Sequence, residues 1–282
     1  MAKRLFIVVF SCLLIASCSQ RFAIPFLDTL ILWKVESYVD LEPSQKDTVK
    51  QEIDNFLYHL ATHDTAPLLE EIAHTRTAHS QNNIDREWML QQSQRIELRL
   101  RHIRVVIFPT LNRILPTLSD EQVEALIASL QEELDEEKGE WQERGEQENI
   151  IERSDRFEEA AEKFIGPLTR SQQRIVRRLM ATSPNFEEQW FRYQQDWIDA
   201  FESALIVRHS EDFSSQLEVL VTNPESLQPE SLQALVDQSR AQGIATSMDI
   251  RTEMTERQTS FFNRQLTKWE EQLHHFVEVY GE

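Results

Sequence analysis

The sequence predicts an all-α fold: an elongated bundle of long, kinked antiparallel helices joined by short connectors. Three observations lead there. Glycine is scarce, with five in 282 residues, whereas tight turns, phosphate loops and β-bulges depend on it. Gln, Glu, Leu and Arg abound, and all four are good helix formers. Apolar residues recur at spacings of three and four along most of the chain, which is the period of a helix with one buried face. No stretch shows sustained apolar–polar alternation, so no strand is expected.

The first residues are a targeting signal and not part of the fold. Lys3 and Arg4 form a basic start, and Leu5 to Ile15 is apolar, too short to span a bilayer as a permanent helix. Ile15-Ala16-Ser17-Cys18 resembles a bacterial lipobox, in which the signal is cut before the Cys and that Cys carries the lipid. Residues 1–17 are therefore expected to be the signal peptide. Residues 18–25 would be the lipidated Cys18 and its tether, and 26–282 a single helical domain. Ser19, not Asp, follows the Cys, which points to the outer membrane, facing the periplasm. Cys12 would leave with the signal and Cys18 would be acylated. The mature body then has no thiol for a disulfide, a nucleophile or a Cys-ligated metal.

The formal net charge is −19. That argues against nucleic acid, which needs a positive footprint, and against lying flat on anionic headgroups.

The elements follow in order. Phe26 to Val39 is apolar and aromatic, with Leu27, Leu30, Ile31, Trp33, Val35 and Tyr38 on helical spacing. It reads as core, or as a segment touching the membrane near the anchor. Pro43 sits just inside a helix start, and that helix runs to about His63 on Val49, Ile53, Phe56, Leu57 and Leu60. A second runs from about Thr65 to His79, and Gln81-Asn82-Asn83 is a break with Asn83 a candidate cap. The next spans about Ile84 to Leu115, carries Arg95, Arg99, Arg101 and Arg104, and contains Pro109, which should kink or split it. From Ser119 a helix with a strongly acidic side is expected to continue past Gly139 and Gly145 as far as Gly166-Pro167. A short basic helix with Arg170, Arg174, Arg177 and Arg178 comes next. A long one from Ser183-Pro184 to about Val221 follows. After a connector over Pro224 to Pro229 come a short helix to about Arg240 and a last long helix from about Ala245 to Tyr280.

One pattern recurs. Leu41-Glu42-Pro43-Ser44-Gln45, Leu118-Ser119-Asp120-Glu121-Gln122 and Leu168-Thr169-Arg170-Ser171-Gln172 each open an amphipathic run. Ser119 with Gln122, and Thr169 with Gln172, form capping boxes. In each, the hydroxyl accepts from the N–H three residues on and the Gln reaches back. Glu42 stands where the first copy lacks a hydroxyl, so its cap must differ. The spacing is similar to the Leu-Thr-x-x-Gln motif of Spy/CpxP-type periplasmic chaperones. The lipobox, the apolar aromatic segment, Tyr38-Val39-Asp40-Leu41 with Gln45, and the two further helix starts at Gln122 and Gln172 resemble an uncharacterised lipoprotein family of proteobacteria, classed as domain of unknown function 6279. That resemblance implies an all-helical envelope lipoprotein and no known activity.

Candidate chemistry is sparse. HExxH, G-x-S-x-G, a Walker loop and G-x-G-x-x-G are all absent from the sequence. His59 and His63 are four apart and share a helical face, with Asp64 adjacent. Two imidazoles without a third fixed ligand are more often surface residues than a metal site. His274 and His275 point apart. No catalytic residue, cofactor or metal ligand is assigned, and Cys18 is the one expected site. The acidic run from Glu132 to Glu148 and the two Arg clusters are the interaction candidates: they face each other, or they bind a basic partner, although a charge run is more often a solvated face. The expectation is a non-enzymatic protein anchored in the outer membrane by its N-terminal lipid and bound to another envelope protein. The alternatives are a chaperone-like binder of unfolded clients and a His-based metal binder.

Overall fold

The computed structural model describes residues 23–282. The signal segment and Cys18 lie outside the described residues. Within them every regular element is helical, in line with the fold class expected from the helix-rich, glycine-poor sequence.

A 3₁₀ turn at Ile24–Phe26, begun by Pro25, leads into α1, Leu27–Glu36. Helix α2 is Pro43–His59. It runs without interruption through a π turn, Leu60–Asp64, into α3, Thr65–Ser80. Pro67 supplies a reason for the wide turn. A proline ring clashes with the carbonyl four residues back, here that of His63, and one extra residue in the turn relieves it. The Thr65 hydroxyl, itself buried, donates to the Leu60 carbonyl five residues earlier at 3.2 Å. After the expected break at Gln81 to Asn83, where Asn82 has φ 56°, Asp85 and not Asn83 caps α4, Arg86–Ile114, by accepting from the Trp88 N–H. Pro109 does not split α4. The carbonyl it leaves unbonded is that of Val105, on the exposed side of the helix.

Four boundaries differ from expectation. The acidic helix α5, Asp120–Glu143, stops at Arg144, and α6, Glu146–Ile165, is a separate helix. Asn149 Nδ2 donates to the carbonyls of Trp141 (2.9 Å) and Arg144 (3.0 Å), which stabilises the corner. After α7, Arg170–Thr182, helix α8 begins only at Glu187 and ends at Ile206. Helix α9, Phe213–Thr222, follows a turn. That turn contains Arg208, 7% exposed, whose guanidinium donates to the carbonyls of Leu118 and Leu205, both at 3.1 Å, and to the Asp120 carboxylate. Finally, α10, Glu230–Thr252, passes through Gly243 as one helix. The break falls instead at Glu253-Met254, before α11, Glu256–Tyr280.

Most of the apolar core lies in one cluster built from α1, α2, α5, α8 and α9, with the inner face of α4 packed on it. A smaller cluster joins Leu168, Val176 and Ile250 with Phe157, Ala161, Ile165, Ile175 and Met180, from α6, α7 and α10. Helix α11 packs on α3 and α6 and returns to the 3₁₀ turn at the start. There the Tyr280 hydroxyl donates to the Ile24 carbonyl at 2.8 Å.

Candidate functional sites

The recurring helix starts are joined in pairs. Gln45 and Gln122 form a reciprocal amide pair, with Nε2 to Oε1 distances of 2.9 and 2.7 Å. Each oxygen also accepts from the N–H of its own cap residue, Glu42 or Ser119, at 2.9 Å. Each nitrogen also donates to the other stretch of chain: Gln45 to the Thr117 carbonyl and Gln122 to the Asp40 carbonyl. A Gln amide offers two donors and two acceptor sites, and here all are used.

The same junction is built a second time by Gln172 and Gln258, at 3.1 and 2.8 Å. Gln258 donates to the Pro167 carbonyl, and Gln172 to those of Ile250 and Glu253. The fourth member, Met254-Thr255-x-x-Gln258, carries the same Thr-x-x-Gln signal, which the expectation of one helix from about Ala245 to Tyr280 passes over. Met stands where the other copies have Leu, and the apolar spacing there suggests a helix interior. Thr255 and Gln258 nevertheless form a full capping box.

Tyr38 to Leu41 is a strap laid along α5. The Tyr38 hydroxyl donates to the Glu133 carboxylate at 2.9 Å, and Lys34 Nζ to the same group at 3.1 Å. Ser129 reaches the Tyr38 carbonyl, and Gln122 the Asp40 carbonyl, while Val39 and Leu41 are buried. Burial pushes the Tyr38 phenol up, Lys34 pulls against that, and the Glu133 carboxylate adds to the rise. Helix α1 itself is divided. Leu27 and Leu32 are buried and Ile31 and Val35 pack on the core. Pro25, Phe26, Thr29, Leu30, Trp33 and Ser37 are exposed, with Phe26 at 60% and Trp33 at 66%. That outer face carries no charge.

Three arginines of the two clusters pair with carboxylates outside the acidic run. Arg99 pairs with Glu71 at 2.7 Å and Arg178 with Asp249 at 3.7 Å. The Arg104 guanidinium forms a two-pronged pair with Glu225 at 2.6 and 2.8 Å. Burial pushes the Glu225 carboxyl up, but Arg104 and the residue's own backbone N–H outweigh that and hold it below the ordinary carboxylate value. On α5, Glu133 turns inward, whereas Glu132, Asp135, Glu136, Glu140 and Glu143 line its outer side. An open hollow beside them is lined by Ala128, Gln131, Glu132, Asp135 and Glu136.

His59 and His63 do stack, with ring centroids 4.5 Å apart. The third group the sequence did not supply is His102, from α4. Its Nε2 lies 3.1 Å from Asp64 Oδ1, and His59 Nε2 lies 3.7 Å from Asp64 Oδ2. No sequence spacing links His102 to His59, so only the packing of α2 on α4 reveals the group.

No helix among the described residues is long and apolar enough to cross a membrane. Residues 37–233 match the sequence model of a family of unknown function, DUF6279. Searches of curated proteins and of solved structures return no match.

Proposed function

The chain belongs to the DUF6279 family, and on that premise we propose that it is a lipid-anchored outer-membrane protein facing the periplasm, which acts by contact with another envelope protein and not by catalysis. The uncharged outer face of α1 carries this reading. In a chain with 27% charged residues, a helix face of Phe26, Leu30 and Trp33 without a charge is unusual. It begins a few residues after Cys18. Large exposed apolar patches mark interaction sites, and Trp favours the membrane–water boundary, where its ring is half apolar and half polar. Burying each large side chain contributes about 1.5–3 kcal/mol, which supplements the acyl chains and fixes the body against the bilayer. The exposed carboxylates of α5 are then the surface offered to a basic partner protein.

A binder of unfolded clients has less support. Such a role calls for a concave apolar surface, and the hollow on α5 is acidic. The Gln residues that echo the chaperone motif are consumed by internal hydrogen bonds.

A photo-crosslinking amino acid introduced in cells in place of Trp33, or in place of Glu136, tests the proposal. Position 33 is expected to yield lipid adducts. Position 136 is expected to yield a discrete protein adduct that disappears in the Cys18→Ser background. Protein adducts at 33, or none at 136, would overturn the reading.

A further inference from the structure

We propose that His59, Asp64 and His102 form a binding site for a divalent transition metal, with zinc the best fit. A donor atom from each of the three lies within 4.8 Å of those of the other two. Donors held 2.0–2.1 Å from a tetrahedral zinc sit roughly 3.3 Å apart. The two His–Asp separations, 3.1 Å to Asp64 Oδ1 and 3.7 Å to Asp64 Oδ2, are near that value, and a modest turn of the Asp64 carboxylate and of the half-exposed His102 side chain brings one oxygen and both imidazoles to it.

Two further observations set this group apart from a surface ion pair. His59 Nε2 and Asp64 Oδ2 are both buried and neither has a hydrogen-bond partner. An orphaned buried polar atom costs about 1–3 kcal/mol, and here two such atoms face each other across 3.7 Å. A cation between them would satisfy both. The backbone also brings them together. In an α-helix, residues five apart point about 140° from each other. The π turn Leu60–Asp64 closes its ring at five residues, which brings His59 and Asp64 to the same side, facing α4. Such turns occur frequently at functional sites. His63 is not a ligand in this arrangement. Its ring lies flat on that of His59, interplanar angle 12°, and holds it in orientation.

Two imidazoles and one carboxylate leave one tetrahedral position open to water or to a ligand, the pattern of zinc sites that do more than brace a fold. The donor set is nitrogen and oxygen alone, which does not favour metals that select soft sulfur ligands.

The test is titration of the detergent-solubilised, metal-stripped full chain with Zn²⁺ against a chromophoric chelator. Co²⁺ serves as a spectroscopic stand-in. One ion per chain is expected, with the visible absorption of four-coordinate Co²⁺. His102→Ala, Asp64→Asn and His59→Ala should each weaken binding at least roughly tenfold, while a His274→Ala, His275→Ala double variant should bind as the parent does. Because His102 is half exposed, its replacement leaves the core intact, and circular dichroism verifies the fold. Absence of saturable binding, or binding unaffected by His102→Ala, would overturn the site.

Discussion

At the scale of single residues, the glutamine amides do more than cap. Each one satisfies its own helix start and a partner's, so its removal strands groups on two elements. Gln172 is fully buried and Gln258 nearly so, and water cannot replace their bonds. Gln172→Ala should therefore cost about 3 kcal/mol, the sum of one or two orphaned polar groups at 1–3 kcal/mol each. Gln122 is only half buried, so Gln122→Ala should cost nearer 1 kcal/mol, the value of an ordinary cap. A double-mutant cycle on Gln172 and Gln258 by urea denaturation should give a coupling of about 1–3 kcal/mol, because the second removal also takes away the amide groups that the first left unpaired. Additive losses would mean that the two amides do not act as a unit. All four glutamines were legible in the sequence as helix-start signals, although the expected last helix passes over that of Gln258. Their pairing was not, since a capping box says nothing about what its free amide donors reach across space.

At the scale of elements, the sequence located helices well and their ends unevenly. Breaks marked by Gly166-Pro167 or by Pro224 were legible because the local chain itself forbids a helix there. Gly166 has φ 78°, and a Cβ on it would lie 3.1 Å from the Phe261 ring. The missed breaks share another cause: a side chain takes up the helix-end carbonyls. Asn149 does so at the α5–α6 corner, Arg208 after α8 and Gln172 after α10. Propensity cannot register a bond made across the fold, or even across a corner. Gly139 sits within α5, as expected, and Gly243, in the gap expected between Arg240 and Ala245, sits within continuous α10; a methyl group added at either would meet nothing within 4 Å. Gly139→Ala and Gly243→Ala should each stabilise the protein by about 0.5–1 kcal/mol, because Ala has less backbone freedom to lose and fits the helix. Chemical denaturation midpoints should rise at unchanged slope. A fall at either position would show that the helix there needs the glycine. The candidate metal site was half legible. His59 and Asp64 could be noticed, but the π turn that aligns them and the His102 that completes the set depend on Pro67 and on helix packing.

At the scale of the whole molecule, the two apolar clusters are unequal. The larger is gathered from both ends of the chain, from α1 through α9 to Phe276. The smaller rests on Leu168, Val176 and Ile250, with half-buried neighbours, and the only buried residue of α6 is Ser154. Regions with fewer buried apolar contacts open at lower free energy than the rest of a fold. Amides of α6 and α7 should therefore exchange with solvent through a smaller opening free energy than those of α8 and α9, as read by native-state hydrogen exchange and mass spectrometry. Val176 is fully buried at the centre of the small cluster, and Val176→Ala should cost about 2 kcal/mol through lost contacts and a residual cavity. If the clusters open separately, that loss should appear as faster exchange in α6, α7 and the end of α10, with α8 and α9 unchanged. If instead every helix loses protection equally, the glutamine junctions and the long α4 and α10 bind both clusters into one cooperative unit. The comparison therefore decides whether the acidic α5 and the uncharged outer face of α1, both built on the larger cluster, can hold their positions while the remainder opens.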